Sequence, residues 1–226
     1  MIRLLYVVLF LFFTTFNSNA HVSHYNKIKY LKYDIYLDNE LIGYHYFKFE
    51  RENKDIVISG DGSFKVSKFG INLINYKTNS LAIYRGNQLI KFESITTQND
   101  KKKYANIEFK DGKLNINGSS FKGDTKNDSI MSSLWNHEII KKNKQISSIS
   151  GSINNYNVKF LGKKDIIVNN KKFKTLNFHI FSDDNKKMKD KKININIWYD
   201  NKSLVWIKAS YRKLGLWEYR LNELKY

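Results

Sequence analysis

The sequence predicts a mainly β protein, with a single antiparallel, strongly curved sheet or open barrel of about eleven strands. Apolar and polar residues alternate over most of the chain after residue 21, as they do in half-buried strands. Turn dipeptides such as Asp111-Gly112 separate these segments, and they supply the positive φ angles of tight hairpins. With 226 residues and no visible repeat, the chain fits one β domain, residues 21–226.

The alternating segments fall into two sets. The first set covers 33–37, 41–49, 56–66, 81–83, 90–94, 104–109 and 114–116. The second covers 156–160, 164–168, 173–181, 193–199, 204–211 and 216–221. Between the sets, Met131, Leu134, Trp135 and Glu138 have helical spacing, with Asp128 or Ser129 as caps. We therefore predict one short helical connector at about 129–141.

Composition excludes several classes of protein. The chain is 42% apolar and 15% aromatic, which is enough for a sizeable core. It has no Cys, which excludes disulfides, thiolate metal sites and a cysteine nucleophile. The net charge of +18 attracts anions, but Lys far outnumbers Arg, the residue that reads guanine, so no nucleic-acid partner is predicted. The Lys runs at 101–103, 141–144, 171–174 and 186–192 have turn compositions and are predicted to be solvated loop tips that could contact an anionic polymer.

The first twenty residues have the pattern of a secretory signal peptide. A short basic start leads into an apolar stretch at 4–13, and small residues at 18 and 20 form a cleavage site. The stretch is shorter than the roughly 20 apolar residues that a membrane-spanning helix needs. An uncleaved anchor is the alternative. We predict cleavage after Ala20, a periplasmic or secreted protein, and no transmembrane span in the mature chain.

Several short motifs together resemble a bacterial exported family known only as a domain of unknown function. The motifs are Phe92-Glu93-Ser94, the segment 133–136, the segment 197–200, and Gly215 followed by 217–221. The resemblance spans roughly residues 27–224. Related families are similar to the lipoprotein-carrier fold, in which a curved antiparallel sheet wraps short helices around an apolar cavity. The resemblance implies this architecture and carries over no catalytic residue.

Three tryptophans are candidate contacts for a ligand or partner: Trp135, Trp198 and Trp206. Trp135 lies in the predicted connector, beside the sheet. The alternation places Trp198 and Trp206 on otherwise polar faces of two neighbouring strands. Cover by a loop is the simpler explanation, and an apolar wall for a ligand is the functional one.

No catalytic, metal or cofactor site is predicted. Ser133 and His137 are four residues apart and would share a helix face, but no nucleophile elbow or glycine-rich oxyanion hole accompanies them. Capping and packing therefore explain this segment better. A mature amino terminus at His21, with His24 or His45, offers nitrogen ligands for copper, but a frayed tail is the favoured interpretation.

We therefore expect an exported, non-enzymatic protein that binds or carries a lipid-like or acyl ligand from the cell envelope. The alternative is a structural or interaction protein of the envelope, with a filled core and no small ligand. An apolar interior cavity would favour the first function, and a fully packed core with an exposed aromatic patch the second.

The signal-peptide pattern makes a direct prediction about the mature protein. Chain isolated from the host envelope should begin at His21, because signal peptidase cleaves after the small residue Ala20. Amino-terminal sequencing of the purified protein checks this. Retention of Met1 in protein recovered from the membrane pellet would contradict it.

Overall fold

The computed structural model of the chain describes residues 25–68, 70–182 and 193–226. The predicted signal peptide, His21 and His24, and the Lys run at 186–192 lie outside the described residues. Among the described helices, none has the length and apolar character needed to cross a bilayer.

The fold is mainly β, as predicted, and it contains one large sheet and one small one. The first half of the chain forms β1 (Tyr30–Leu37), β2 (Glu40–Glu52), β3 (Asp55–Lys68), β4 (Ile71–Arg85), β5 (Gln88–Gln98), β6 (Lys101–Lys110), β7 (Lys113–Gly118) and β8 (Lys122–Lys126). The connector forms β9 (Ile130–Met131), a 3-10 helix (His137–Lys141), β10 (Lys144–Ile146) and β11 (Ile153–Asn155). The second half forms β12 (Asn157–Val168), β13 (Lys171–Phe181), β14 (Asn194–Asp200), β15 (Trp206–Arg212) and β16 (Leu216–Lys225).

The large sheet has 13 strands in the order β12-β13-β14-β15-β16-β1-β2-β3-β4-β5-β6-β7-β8, and it does not close. Each neighbouring pair is antiparallel, and most are joined by tight hairpins. The predicted Asp111-Gly112 turn is confirmed, because both residues have positive φ angles, of 52° and 75°. Such angles give the turn the twist that a two-residue hairpin needs.

The predicted count of about eleven strands was too low: the alternating segments already number thirteen, and the described residues form sixteen strands. The stretch between the two predicted sets of strands contains β8, which lies at a free edge of the large sheet. An edge strand exposed to water needs no apolar alternation, so β8 carries no strand signal in its residues. The strands β9, β10 and β11 have only two or three residues each, too few for a period of two to be visible.

The predicted helix at about 129–141 is also wrong. Ile130 and Met131 pair in parallel with β10 instead, which commits their backbone to a second, three-stranded sheet. Only a five-residue 3-10 helix remains, and its cap is Asn136, whose side chain accepts a hydrogen bond from the Glu138 backbone N–H at 3.2 Å. The predicted caps lie before the short strand β9.

The sheet curves around this connector. One buried cluster contains residues from strands near both ends of the sheet, such as Ile107 in β6 and Ile180 in β13. The same cluster contains Trp135, Ile139 and Ile146 from the connector. The connector therefore supplies the centre of the core, and the inner face of the sheet supplies its wall.

The two halves of the large sheet meet where β1 pairs with β16, a boundary that we call the seam. The pairing runs from Tyr30 opposite Lys225 to Leu37 opposite Trp217. Tyr33, at the seam, is fully buried and donates a hydrogen bond from its hydroxyl to the Trp206 carbonyl at 3.0 Å. Its ring stacks on the Trp206 ring with centroids 4.0 Å apart. The seam is thus closed by both backbone pairing and aromatic packing.

The close approach of the connector to the sheet predicts a sensitive glycine. A Cβ atom on Gly118 would lie 2.4 Å from the Ser150 carbonyl oxygen, which is part of the backbone and cannot move freely. We expect Gly118→Ala to lower the free energy of unfolding by about 1–3 kcal/mol, the usual effect of overpacking. Chemical denaturation followed by circular dichroism measures it.

Gly86→Asn is the matched control. Gly86 lies in the β4–β5 turn with φ of 55°, and no atom stands within 4 Å of the point that a Cβ atom would occupy. Asn tolerates this conformation, so the substitution should cost less than about 1 kcal/mol. Equal destabilisation by the two substitutions would show that the contact between connector and sheet is not tight.

Candidate functional site

A cavity of about 330 Å³ lies between the inner face of the large sheet and the connector. Its volume falls within the range of roughly 300–1,000 Å³ that is typical of small-molecule sites. Both halves of the sheet line it. The apolar wall includes Phe47, Phe64, Ile180, Ile193, Ile195 and Trp206.

Polar side chains also line the cavity: His45, Thr78, Ser80, Ser132, Ser133, Gln145, Ser148 and the tyrosines Tyr76, Tyr211 and Tyr219. Some of them are paired within the wall. The Thr78 hydroxyl lies 2.8 Å from the Thr96 hydroxyl, and the Ser132 hydroxyl donates to the Ser148 hydroxyl at 3.2 Å. The described lining contains no Lys, Arg, Asp or Glu. A ligand in this cavity would therefore meet apolar groups and neutral hydrogen-bonding groups.

Gly62 leaves space for part of the cavity. It lies opposite His45 in the β2–β3 pairing. A Cβ atom at this position would stand 3.1 Å from His45 Cδ2 and 3.2 Å from Thr78 Cγ2. A side chain here would crowd both neighbours, so the absence of one keeps the inner face of β3 open between β2 and β4.

His45 is the one imidazole in the described lining. Burial lowers its pKa to about 4, and the nearby carboxylate of Asp61 opposes part of this shift. The ring packs on Phe47, with centroids 4.4 Å apart. At neutral pH the imidazole is therefore uncharged, with one nitrogen able to donate and the other able to accept a hydrogen bond.

Of the three predicted contact residues, Trp206 lies in the cavity wall, and the polar face predicted for it is wrong. Its side chain is 2% exposed and belongs to the core. A bulge in the β14–β15 pairing, where Trp198 faces Lys208 and Tyr199 faces Trp206, is the cause. Because the bulge adds one residue to β15, Trp206 and its neighbour Ile207 are both buried in the core cluster.

The other two tryptophans lie elsewhere. Trp135 is 2% exposed and makes edge contacts with Tyr25, Phe49 and Tyr84, outside the described cavity lining. Trp198 is partly exposed, and the Lys208 ammonium stands 5.6 Å from its ring. The structure thus does not bring the three tryptophans together at one site.

The connector holds its histidine in a structural contact. The Tyr25 hydroxyl lies 2.8 Å from His137 Nδ1 and accepts a hydrogen bond from the His137 backbone N–H at 3.1 Å. The 3-10 helix begins at His137, so no helix face joins it to Ser133, which lines the cavity. The geometry that a serine–histidine pair would need from a common helix is therefore not formed.

The Lys runs at 101–103 and 171–174 begin β6 and β13, directly after hairpin turns. The run at 141–144 extends from the last residue of the 3-10 helix to the first residue of β10, Lys144, whose Nζ lies 3.6 Å from Asp128 Oδ1. Most of these side chains are exposed. The runs at 101–103 and 171–174 are exposed next to turns, but they belong to strands, so the prediction that they are loop tips is wrong.

Sequence reasoning missed the polar lining of the cavity. His45, Ser80 and Gln145 come from β2, β4 and β10, and no local motif links them. The one usable signal was the alternation in β2 and β4, which puts His45 on the same face as Phe47 and Ser80 on the same face as Thr78. His45, Ser80 and Gln145 come together at one cavity only because the sheet curves and the connector lies against its inner face.

Comparisons with known proteins support the fold. A family model described as "Domain of unknown function (DUF6134)" matches residues 33–222. No curated protein matches the chain. The chain is similar to a solved structure, a β-barrel-like protein of the domain of unknown function DUF1849 from Brucella abortus, with 12% identity and a TM-score of 0.61. The match covers 88% of this chain and 97% of that one, and the likeness concerns the fold alone.

The low pKa of His45 predicts a pH dependence of stability. The folded value of about 4 lies below the ordinary value of 6.5, so between these pH values the unfolded chain binds a proton that the folded chain does not. Stability contributed by neutral His45 is present above pH 6.5 and is lost as pH falls towards 4. Between about pH 7 and pH 5, the free energy of unfolding of the wild type should fall by about 1–2 kcal/mol more than that of His45→Gln, because Gln does not titrate.

Urea denaturation at the two pH values measures this difference. Ser80→Ala is the control, because it changes the same cavity without removing a titrating group. It should keep the full pH dependence of the wild type. If the stabilities of His45→Gln and the wild type fall in parallel with pH, His45 is not held neutral by the fold.

Proposed function

We propose that this chain, which belongs to the family described as a domain of unknown function, DUF6134, is an exported, non-enzymatic protein that binds a lipid-like or acyl ligand. The observation that supports this function is the cavity on the inner face of the sheet. Isoleucines from β13, β14 and the residue before β14 line it beside Phe47 and Trp206. A wall of this kind suits an alkyl chain better than a polar metabolite.

The size of the hydrophobic effect is sufficient for useful affinity. Each methylene moved from water into an apolar site contributes about 0.8 kcal/mol, so eight carbons give roughly 6 kcal/mol before the entropy cost of association. A cavity that exists before the ligand arrives reduces the ordering cost. Micromolar binding requires about 8 kcal/mol in total, which a somewhat longer chain or polar contacts would supply.

Export and the envelope are part of the proposal. The pattern of the first twenty residues supports export, because it combines a basic start, an apolar stretch and a small residue before the predicted cleavage site. The lipoprotein-carrier-like fold that the family resemblance implies would favour an envelope lipid as the source of the acyl chain. Exposed Lys side chains at the starts of β6 and β13 would add contacts with anionic envelope polymers.

A cavity-filling substitution tests the function. Delipidated wild-type protein should bind the uncharged fluorescent probe N-phenyl-1-naphthylamine saturably, with its emission enhanced. Ser80→Phe places an aromatic ring in the cavity, and we expect it to weaken binding at least about tenfold, or 1.4 kcal/mol. Native mass spectrometry of protein from its own host then identifies any lipid that co-purifies with it.

Lys77→Phe is the matched control on the same strand. Lys77 is exposed and does not line the cavity, so this variant should bind the probe as the wild type does. Thermal unfolding of both variants checks that they are folded. If the wild type shows no saturable binding, or if the two variants bind equally, the lipid-binding function is wrong and the structural or interaction protein of the envelope takes its place.

A further inference from the structure

Several polar groups in the cavity wall form no hydrogen bond within the described part of the protein. They include the His45 ring, the Ser80 and Ser133 hydroxyls, the Gln145 amide and the indole N–H of Trp206, which is buried without a partner. Their neighbours Thr78 and Ser132, in contrast, are paired. The unused groups are therefore available to a ligand.

Gln145 is the most informative of these groups. It lies in β10, is 8% exposed and lines the cavity. A primary amide carries two N–H donors and a carbonyl acceptor. The Gln145 amide has no hydrogen-bond partner within the described residues and stays accessible from the cavity, so a ligand group that both donates and accepts hydrogen bonds could pair with it.

The charge of the wall restricts what that group can be. No described lining residue carries a formal charge, and the His45 imidazole is neutral above about pH 4. An ionised carboxylate or ammonium entering this space would lose its hydration without gaining an opposite charge. A hydroxyl or ester group loses far less and pairs equally well with a neutral amide and imidazole.

Building on the proposed function, we propose that the cavity selects an amphiphile with an uncharged, hydroxyl-bearing head group, as in a long-chain alcohol or a monoacylglycerol, over the ionised fatty acid of the same chain. The alkyl chain packs along the isoleucine-rich wall. The head group hydrogen-bonds with Gln145 and its polar neighbours. The lack of a counter-charge gives selectivity against the carboxylate.

Three ligands with the same chain length test this selectivity. Dodecanol, dodecanoate and dodecylammonium are compared at pH 8 by displacement of N-phenyl-1-naphthylamine from the wild-type protein, with dodecanol below its solubility limit and the two ions below their critical micelle concentrations. We expect dodecanol to bind at least about tenfold more tightly than either ion. Dodecanoate should gain affinity as the pH is lowered to about 5, because its protonated form is neutral, while dodecanol should not.

Variants at Gln145 test the residue itself. Gln145→Leu should weaken dodecanol binding about threefold to tenfold, the effect of losing one or two neutral hydrogen bonds. Gln145→Lys supplies a counter-charge and should reverse the preference towards dodecanoate. Gln98→Leu, at the exposed end of β5, is the control and should bind all three ligands as the wild type does.

The outcomes separate the two proposals. If none of the three ligands displaces the probe from the wild type, the lipid-binding function fails. If dodecanoate binds at pH 8 as tightly as dodecanol, the cavity does bind alkyl chains and the head-group inference fails. If selectivity is present but unchanged in both Gln145 variants, the assignment of Gln145 is wrong.

Discussion

The pairing of β1 with β16 is the interaction on which the rest of the structure depends. It joins two sets of hairpins, β1–β8 and β12–β16, into one sheet, although the paired residues Tyr30 and Lys225 lie at opposite ends of the described chain. The cavity has walls from both sets, so its shape exists only when the seam is formed. The hydrogen bond and ring stacking of Tyr33 on Trp206 link the seam directly to the cavity wall.

Tyrosine hydroxyls provide hydrogen bonds to the connector, an irregular segment that lies inside the core. A buried loop exposes backbone groups that neither a helix nor a sheet satisfies. Here Tyr199 donates to the Leu134 carbonyl at 2.8 Å, and Tyr156 donates to the Ile139 carbonyl at 2.7 Å. Burial raises the pKa of both phenols, so they remain protonated donors. These tyrosines thus fill the core with their rings and also donate hydrogen bonds to backbone carbonyls of the connector.

The sequence predicted what is encoded locally and missed what depends on distant contacts. Period-two alternation and turn dipeptides such as Asp111-Gly112 are local, and they identified the fold class and most long strands. The face of Trp206 was wrong, because a bulge is a property of the pairing between β14 and β15. The helix was wrong, because β10 offers Ile130 and Met131 a partner that the isolated segment lacks. The polar groups of the cavity come from separate strands, and only the curvature of the sheet brings them together.

The central position of β1 also sets the order in which the structure can be completed. A chain that emerges from its amino terminus releases β1 long before β16, with about 180 residues of intervening chain. Until then one edge of β1 has unpaired backbone groups, and Tyr33 lacks its aromatic partner. Such non-local pairing raises the contact order, which slows folding and lengthens the period in which a strand edge is open to other chains. If the chain is exported, as we propose, its large sheet is complete only after β16 has crossed the membrane and paired with β1.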